Sequence, residues 1–371
     1  MDFSYSEEQQ EVKTLAAKIL GDQTAPERLR DIEQAPERFD DKLWQDLAEA
    51  GLLGVAIDEA FGGMGFGFET LCLLVEEVGR TVAPAPVVPV LVSAAASLQK
   101  FAHPQLCEHY LPGVVSGKHI LTAALIEPGN ENIASPSMTA DSGPMGWRLT
   151  GSKHCVPFAA RSNGILMTAS SDEGLGVFLV HPTAKGVQCT EQVVTAGEDQ
   201  YTLQLDSVEA TLVAEGEVAV SMAHWMFEAT AAALSAMAVG CCDKMMRMTA
   251  SYASERKQFG VPIATFQAVG HQQANSFIDI ECLRLVSQQA VSLLDQGSEA
   301  TEAVLIAKIW TGDVCHRVSQ TSQQCHGGIG VDRDYPLFRF CLWARQIELS
   351  CGSSAQLLST LGEDIADQFA A

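Results

Sequence analysis

The spacing of hydrophobic residues predicts that the first part of the chain, up to about Lys118, is helical. Ser6 and Gln9 form a capping box, which marks the start of a helix. Apolar residues then follow at helical spacing, at Val12, Leu15, Ala16, Ile19 and Leu20. Further helical patterns occupy 43–53, 69–78 and 89–100. We interpret the glycine-rich stretch 61–67 as a connecting loop.

Near Lys118 the period of the pattern changes from helical to two. Apolar and β-branched segments separated by Gly, Pro, Asn and Asp predict short strands at 120–125, 147–150, 164–168, 176–180 and 202–205. From Glu217 onward the pattern is helical again. The predicted fold class is therefore α+β, with three domains: N-terminal helical at 1–118, small β at 119–218 and C-terminal helical at 219–371.

Two long helical patterns in the C-terminal part are joined by a short turn. The first runs from Val220 to Tyr252, and the second begins at Phe266 and continues for about thirty residues. The stretch from Arg256 to Gln267 places an arginine, aromatic rings and amides around a Gly-Val-Pro turn. Because arginine is always charged and presents a planar fork of donors, Arg256 is a candidate for binding a phosphate or pyrophosphate.

Composition and charge exclude several classes of function. The chain has 371 residues, 47% of them hydrophobic, which is enough for more than one core. A formal net charge of -23 argues against nucleic-acid binding. The 11 cysteines are scattered through apolar segments without a Cys-x-x-Cys pair, which predicts reduced core thiols in a cytoplasmic protein. We expect no metal site, no secretion signal and no membrane span.

Two motifs in the C-terminal part resemble those of the acyl-CoA dehydrogenase family. The segment from Arg256 to Gln267 reads Arg-x-Gln-Phe-Gly-x-Pro-Ile-x-x-Phe-Gln and is similar to that family's flavin-binding segment. The segment beginning at Gln324 reads Gln-x-x-Gly-Gly-x-Gly, again as in the family. The resemblance implies the family's fold, with a C-terminal four-helix bundle, and it implies FAD as cofactor and an acyl-CoA as substrate.

The β domain departs from the family where the family holds the flavin ring. The family's Thr-Glu-Pro-x-x-Gly-Ser-Asp appears as 126–133, with Ile126 for the threonine and no Gly-Ser-Asp. In the second family segment, Cys155 stands where a tryptophan shields the flavin. Pro157 stands where a threonine bonds the flavin, and proline also lacks a backbone donor. The resemblance therefore implies that the groups holding the ring have been replaced.

The family's catalytic carboxylate is also replaced. In most members a glutamate removes the α proton of the thioester, and Cys351 occupies that position here. A thiol with an ordinary pKa near ~8.5 is a poor substitute. Other relatives carry the base 26 residues before the motif arginine, at the position of Thr230. We therefore assign no catalytic residue, and we interpret Glu228 and Glu348 as solvated glutamates rather than relocated bases.

In this family the flavin lies across a contact between subunits, so retained and lost groups can be assigned to different chains. One chain supplies the β-domain pocket and the base, and its neighbour supplies the two C-terminal motifs. This chain keeps only the second set. The resemblance thus implies the non-catalytic subunit of an α2β2 acyl-CoA dehydrogenase of the steroid type, whose paralogous partner binds most of the substrate.

The resemblance also assigns roles to individual residues. Arg256 would pair with the flavin pyrophosphate, and Phe259 would pack against the cofactor. The adenosine end would contact Gln324 and the backbone of Gly327 and Gly328. Gln258 and Gln267 are candidates of second rank, and we interpret His326 and His271 as interface or core histidines.

Two other interpretations remain open. The chain could form a homo-oligomeric dehydrogenase in which Glu348 or Glu228 is the base. Alternatively, it could be a structural or regulatory paralogue that binds no flavin.

Overall fold

The computed structural model describes residues 4–130, 132–144 and 146–370. Glu131, one of the residues that replace the family's Gly-Ser-Asp, lies outside the described residues. The chain forms two compact units, each built from separate segments. The first unit combines the residues up to Leu29 with Cys72–Ala83 and the residues from Ala231 onward. The second unit combines Arg30–Leu71 with Pro84–Thr230.

The helices precede and follow a central run of strands. Before the strands lie α1 (Glu7–Gln23), α2 (Pro26–Gln34), α3 (Asp41–Glu49), α4 (Gly67–Thr81), a π-helix (Val88–Ala96), α5 (Ser97–Phe101) and α6 (Pro104–Val115). After the strands lie α7 (Gly216–Glu255), α8 (Gln267–Asp295), α9 (Thr301–His326), α10 (Leu337–Leu349) and α11 (Ser354–Ala370). This order confirms the α+β prediction, and the capping box at Ser6 is also confirmed.

Seven strands of the second unit form one sheet. They are β1 (Leu121–Ala124), β2 (Thr139–Gly143), β3 (Gly146–Pro157), β4 (Gly164–Ser171), β5 (Gly174–Val180), β6 (Val187–Gln192) and β7 (Gln200–Glu215). The order is β1-β4-β2-β3-β7-β5, β6 pairs with β7, and a β4–β5 pairing closes the path into a ring. The apolar side chains enclosed by this sheet include Leu149, Ile165, Phe178 and Leu203.

The sequence pattern missed two of the strands. No residue of β6 is fully buried, and Ala140 is the one buried residue of β2. These strands contain few apolar residues, since β2 reads Thr-Ala-Asp-Ser-Gly and β6 has only Val187 and Cys189, so the pattern gave too weak a signal to predict them. The prediction for the cysteines also needs a correction, since Cys155 is exposed although all the cysteines are free thiols.

Helix α7 is long and apolar enough to cross a membrane by length and composition. Its most apolar 18-residue window, however, is 78% buried inside the protein, as expected for a core helix.

In the first unit α7 crosses α4 at very short range. A Cβ added at Gly240 would lie 1.9 Å from the carbonyl oxygen of Glu76, and one added at Gly79 would lie 2.0 Å from that of Met237. Beside this crossing, the half-buried Arg80 bonds Glu76, Glu77 and Asp243. Glycine at both positions therefore allows the two backbones to approach and the ion pairs to form.

We expect Gly240→Ala to destabilise the protein by about 3 kcal/mol or more, because the new methyl group overlaps a backbone carbonyl that cannot rotate away. Urea unfolding followed by circular dichroism measures the effect. Gly21→Ala in α1 is the matched control, since a Cβ there meets no atom within 4 Å. The control should be neutral or stabilising by up to ~1 kcal/mol, and equal stability of the two variants would contradict the close crossing.

Candidate functional site

The turn after α7 is a tight β-hairpin that begins at Arg256. Strands β8 (Lys257–Gln258) and β9 (Val261–Pro262) pair in antiparallel register. Phe259 and Gly260 at the tip have φ angles of 52° and 84°, as a two-residue hairpin turn requires. The hairpin closes where the Ile263 N–H donates to the Arg256 carbonyl at 2.8 Å. The tip leaves the Phe259 side chain 94% exposed.

The second motif forms the end of α9. Gln324 lies in the last helical turn and is exposed. Gly327 follows with φ 61° and ψ -136°, a conformation that suits only glycine. At Gly328 an added Cβ would meet no atom within 4 Å, so the packing of the described chain does not require glycine there. Glycine at this position instead leaves room for a ligand to approach the backbone closely.

The two motifs meet at one end of the first unit. Tyr252, in the last turn of α7, stacks on His326 at the end of α9 with ring centroids 4.3 Å apart and an interplanar angle of 21°. Near the start of α8, Gln273 Nε2 donates to Cys325 Sγ at 3.6 Å. The fold thus brings together segments that are remote in sequence. His326 is buried, whereas His271 is exposed.

The polar residues that the sequence singles out at this end are accessible to a ligand. The exposed side chains are those of Arg256, Gln258, Gln267 and Gln324. No carboxylate among the described residues pairs with Arg256. Phe259 packs edge-on against Phe266 at 6.3 Å, which places the hairpin tip against the uncapped start of α8. An unpaired guanidinium near a helix N-terminus suits a pyrophosphate, so this half of the predicted site fits FAD.

Among its described residues, the β domain does not offer comparable groups for a flavin ring. Cys155 is exposed, with a φ of 51°, and Pro157 has no N–H to donate. In the loop that replaces the Gly-Ser-Asp, Asn130 Oδ1 accepts the Asn132 N–H at 3.0 Å. Asn132 Oδ1 then accepts the N–H of Ala134 at 3.0 Å. Because these amides bond within the loop, this half of the site does not fit the ring.

The residues that these two β-domain motifs retain form a buried ion pair. Lys153 is 1% exposed and donates from Nζ to Glu127 Oε1 at 2.8 Å, and the Met138 N–H also donates to that oxygen at 3.1 Å. Burial opposes the charge on Glu127, but Lys153 and the backbone donors lower its pKa on balance. The Ile126 backbone pairs with that of His154, so the ion pair joins the two motif segments.

Cys351, which the sequence resemblance places at the position of the family's base, lies in the turn between α10 and α11. Cys351 is buried there with a φ of 55°. Lys308, which is fully buried, donates from Nζ to the carbonyls of Glu348 at 3.1 Å and Gly352 at 3.3 Å, on either side of Cys351. Burial lowers the pKa of Lys308. This turn is therefore fixed by a lysine, and its Ser-Cys-Gly-Ser-Ser sequence contains no carboxylate.

The alternative base position is filled by a bonded hydroxyl group. Thr230 is buried, with its Oγ1 2.8 Å from Ser93 Oγ and 2.6 Å from the Met226 carbonyl that accepts its proton. Ser93 belongs to the buried π-helix. Glu228, two residues before Thr230, is half-buried. A hydroxyl in this environment cannot act as the general base.

The Glu348 carboxylate contacts an arginine and lies near a histidine. Arg345 Nη1 donates to its carboxylate at 2.6 Å, and His316 Nδ1 lies 3.9 Å away. The arginine contact holds the carboxylate within α10, away from any free position in the turn that contains Cys351. The geometry therefore gives little support to Glu348 as a relocated base.

Sequence reasoning missed the buried charges. Lys308 interrupts an apolar Val-Leu-Ile-Ala-Lys-Ile-Trp run, and that interruption is a usable signal for a buried lysine. Lys153 carried no such signal, since its neighbours in sequence are polar. The stacking of Tyr252 on His326 joins distant segments and could not be read from either one.

Two family models match the chain on either side of the β domain. The model for the acyl-CoA dehydrogenase N-terminal domain matches residues 6–118, and the model for the acyl-CoA dehydrogenase C-terminal domain matches residues 220–366. Together these matches span most of the chain.

Similar proteins extend over the full length of the chain. It is 33% identical to the acyl-CoA dehydrogenase FadE27 of Mycobacterium tuberculosis, covering 99% of both chains. A solved variant of the Tcur3481–Tcur3483 steroid ACAD is 40% identical, with a TM-score of 0.93 over 98% of this chain and 99% of the other. A chain from the crystal structure of the ChsE4–ChsE5 complex of Mycobacterium tuberculosis is 32% identical, with a TM-score of 0.92 over 99% of this chain and 99% of that chain.

Proposed function

Because the chain belongs to the acyl-CoA dehydrogenase family, we propose that it is the non-catalytic subunit of an FAD-dependent acyl-CoA dehydrogenase complex. Members of the family are FAD-dependent oxidoreductases that act on acyl-CoA. A paralogous chain is the proposed partner, in an α2β2 assembly that catalyses α,β-desaturation of an acyl-CoA thioester. The partner supplies the flavin pocket, the catalytic glutamate and most of the substrate site.

The proposal rests on the contrast between the C-terminal motifs and the positions for the flavin ring and the base. The two C-terminal motifs present Arg256, Gln324 and the Gly327–Gly328 backbone on an accessible surface. The β-domain positions for the flavin ring and both base positions carry groups that cannot perform those roles. When bound, FAD accepts a hydride from the substrate. This chain's residues would hold its pyrophosphate and adenosine end, with Gln258, Phe259 and Gln267 as further contacts.

An exposed apolar face on α8 supports a partner chain. Phe277, Ile278 and Leu285 are 52%, 58% and 55% exposed, and their spacing places them on one side of the helix. Phe259 and Phe266 extend this face to the hairpin. Apolar area of this extent is costly in water, so its burial against a second subunit would stabilise a complex.

The names of two similar proteins support a proposal for the substrate class. One is a steroid ACAD and another is a complex of two different chains, ChsE4 and ChsE5. We therefore propose a steroid side-chain acyl-CoA as the substrate of the complex. The free thiols of all its cysteines support a cytoplasmic location for the chain.

Expression of the chain alone and with its paralogue tests the proposal. We expect colourless, inactive protein from the chain alone, and bound FAD with acyl-CoA dehydrogenase activity after co-expression. Yellow, active protein from the chain alone would instead support a homo-oligomeric enzyme. Colourless protein in both preparations would indicate a paralogue that binds no flavin.

A further inference from the structure

A cluster of three aromatic rings, the buried His326 and the half-buried Tyr252 and Tyr335, lies between the two motifs proposed to hold FAD. His326 stacks on Tyr252, and its ring centroid is 5.2 Å from that of Tyr335. Its Nδ1 lies 2.8 Å from the Ser322 carbonyl, and its Nε2 lies 3.1 Å from the Tyr335 hydroxyl. The cluster thus joins the ends of α7 and α9 to the segment before α10.

These contacts define the protonation of the ring. A carbonyl can only accept, so Nδ1 carries the proton that it donates to Ser322. In the neutral ring Nε2 is then the acceptor, and the Tyr335 hydroxyl donates to it. Burial lowers the pKa of His326, which favours this neutral form. The Tyr335 hydroxyl therefore fixes the orientation of the imidazole.

The backbone connects the residues of this cluster directly to both motifs. The Arg256 N–H donates to the Tyr252 carbonyl at 2.8 Å, so the stacked tyrosine lies one helical turn before the arginine. His326 directly precedes Gly327, where the chain leaves the helix with positive φ. The contacts of the imidazole therefore restrain the start of the glycine segment relative to Arg256.

We infer that His326, held by Tyr335, is a positioning residue that sets Arg256 and the Gly327–Gly328 backbone at the separation required to bind the pyrophosphate and adenosine end of FAD together. The inference rests on the proposed function. The aromatic cluster acts on FAD only through Arg256 and the glycine backbone, because none of the three rings needs to touch FAD.

The test compares Tyr335→Phe in two backgrounds of the co-expressed complex. In the otherwise unchanged complex, loss of the hydroxyl should raise the Kd for FAD by about 2- to 10-fold, the range expected for one hydrogen bond. In an Arg256→Ala background the same change should have little effect, because the positioned group is gone. Flavin fluorescence measures the Kd, and Tyr252→Phe, which keeps the stacked ring, is the matched control.

Four outcomes would overturn the inference. An unchanged Kd with Tyr335→Phe removes the positioning role, and the same loss in both backgrounds indicates a general structural effect. In either case a loss of affinity with Arg256→Ala alone leaves the proposed function intact. A complex that binds no FAD, or that binds FAD equally well with Arg256→Ala, ends the proposed function and this inference with it.

A second readout does not depend on FAD. In the chain alone, the ¹⁵N resonances of His326 should report a neutral ring with the proton on Nδ1. A proton on Nε2 would contradict the assigned orientation, whatever the result of the binding measurements.

Discussion

Replacing Arg256 with alanine is expected to weaken FAD binding by the complex about 100-fold. A bidentate contact between a guanidinium and a pyrophosphate contributes about 3 kcal/mol, which corresponds to roughly two decades in Kd. The side chain is exposed and has no carboxylate partner among the described residues. The thermal stability of the chain should therefore change little, and the loss should be specific to FAD.

Two further variants distinguish the contribution of the planar guanidinium group from that of positive charge alone. Arg256→Lys keeps the charge but loses the fork, and we expect an intermediate Kd. Lys257→Ala removes an exposed charge from the same hairpin, and we expect less than a ~5-fold change, since a solvated lysine acts as a point charge. If Arg256→Ala and Lys257→Ala have equal effects, Arg256 does not bind the pyrophosphate.

The second large effect concerns stability. Lys153→Met is expected to destabilise the β domain by about 3–5 kcal/mol, because it leaves the Glu127 carboxylate buried without its cation. Changing both partners, with Lys153→Met and Glu127→Gln together, should recover part of this loss, since the charge is removed and the amide oxygen still accepts one of the two backbone N–H groups that bond Glu127. Urea unfolding of the isolated chain measures both variants.

A surface pair and the pH dependence provide controls. Lys42→Met breaks the exposed ion pair with Asp46 and should cost less than ~0.5 kcal/mol.

In the unchanged protein the pKa of Glu127 is lowered, so its contribution to stability is present above the unfolded value of 4.5 and is lost as the pH falls. In Lys153→Met the pKa should rise instead, so the deficit should shrink in acid. A deficit that grows in acid would contradict the buried ion pair.

The sequence predicted the helix boundaries and the motif positions that depend on local residue patterns. Helix α8 was expected to begin at Phe266, and it begins one residue later. The two C-terminal motifs could be placed at helix ends because the Gly-Val-Pro turn and the glycine pair both interrupt helical periodicity. The exposed face of α8 was harder to predict, since apolar residues on both faces obscure which side is buried.

Long-range contacts between polar groups could not be predicted in the same way. Glu127 and Lys153 each look like surface residues in sequence, and only the pairing of their segments buries them together. The π-helix at Val88–Ala96 has an almost wholly apolar sequence, so periodicity gives no sign of its altered hydrogen bonding. The His326 cluster depends on three segments that meet only in the folded unit.

The ratio of FAD to protein in the purified complex tests the central claim most directly. If this chain contributes only the pyrophosphate and adenosine contacts, each pair of unlike subunits should contain one FAD, as measured by flavin absorbance against quantitative amino-acid analysis. Two FAD for each pair would mean that this chain holds a flavin ring of its own, which would contradict the account.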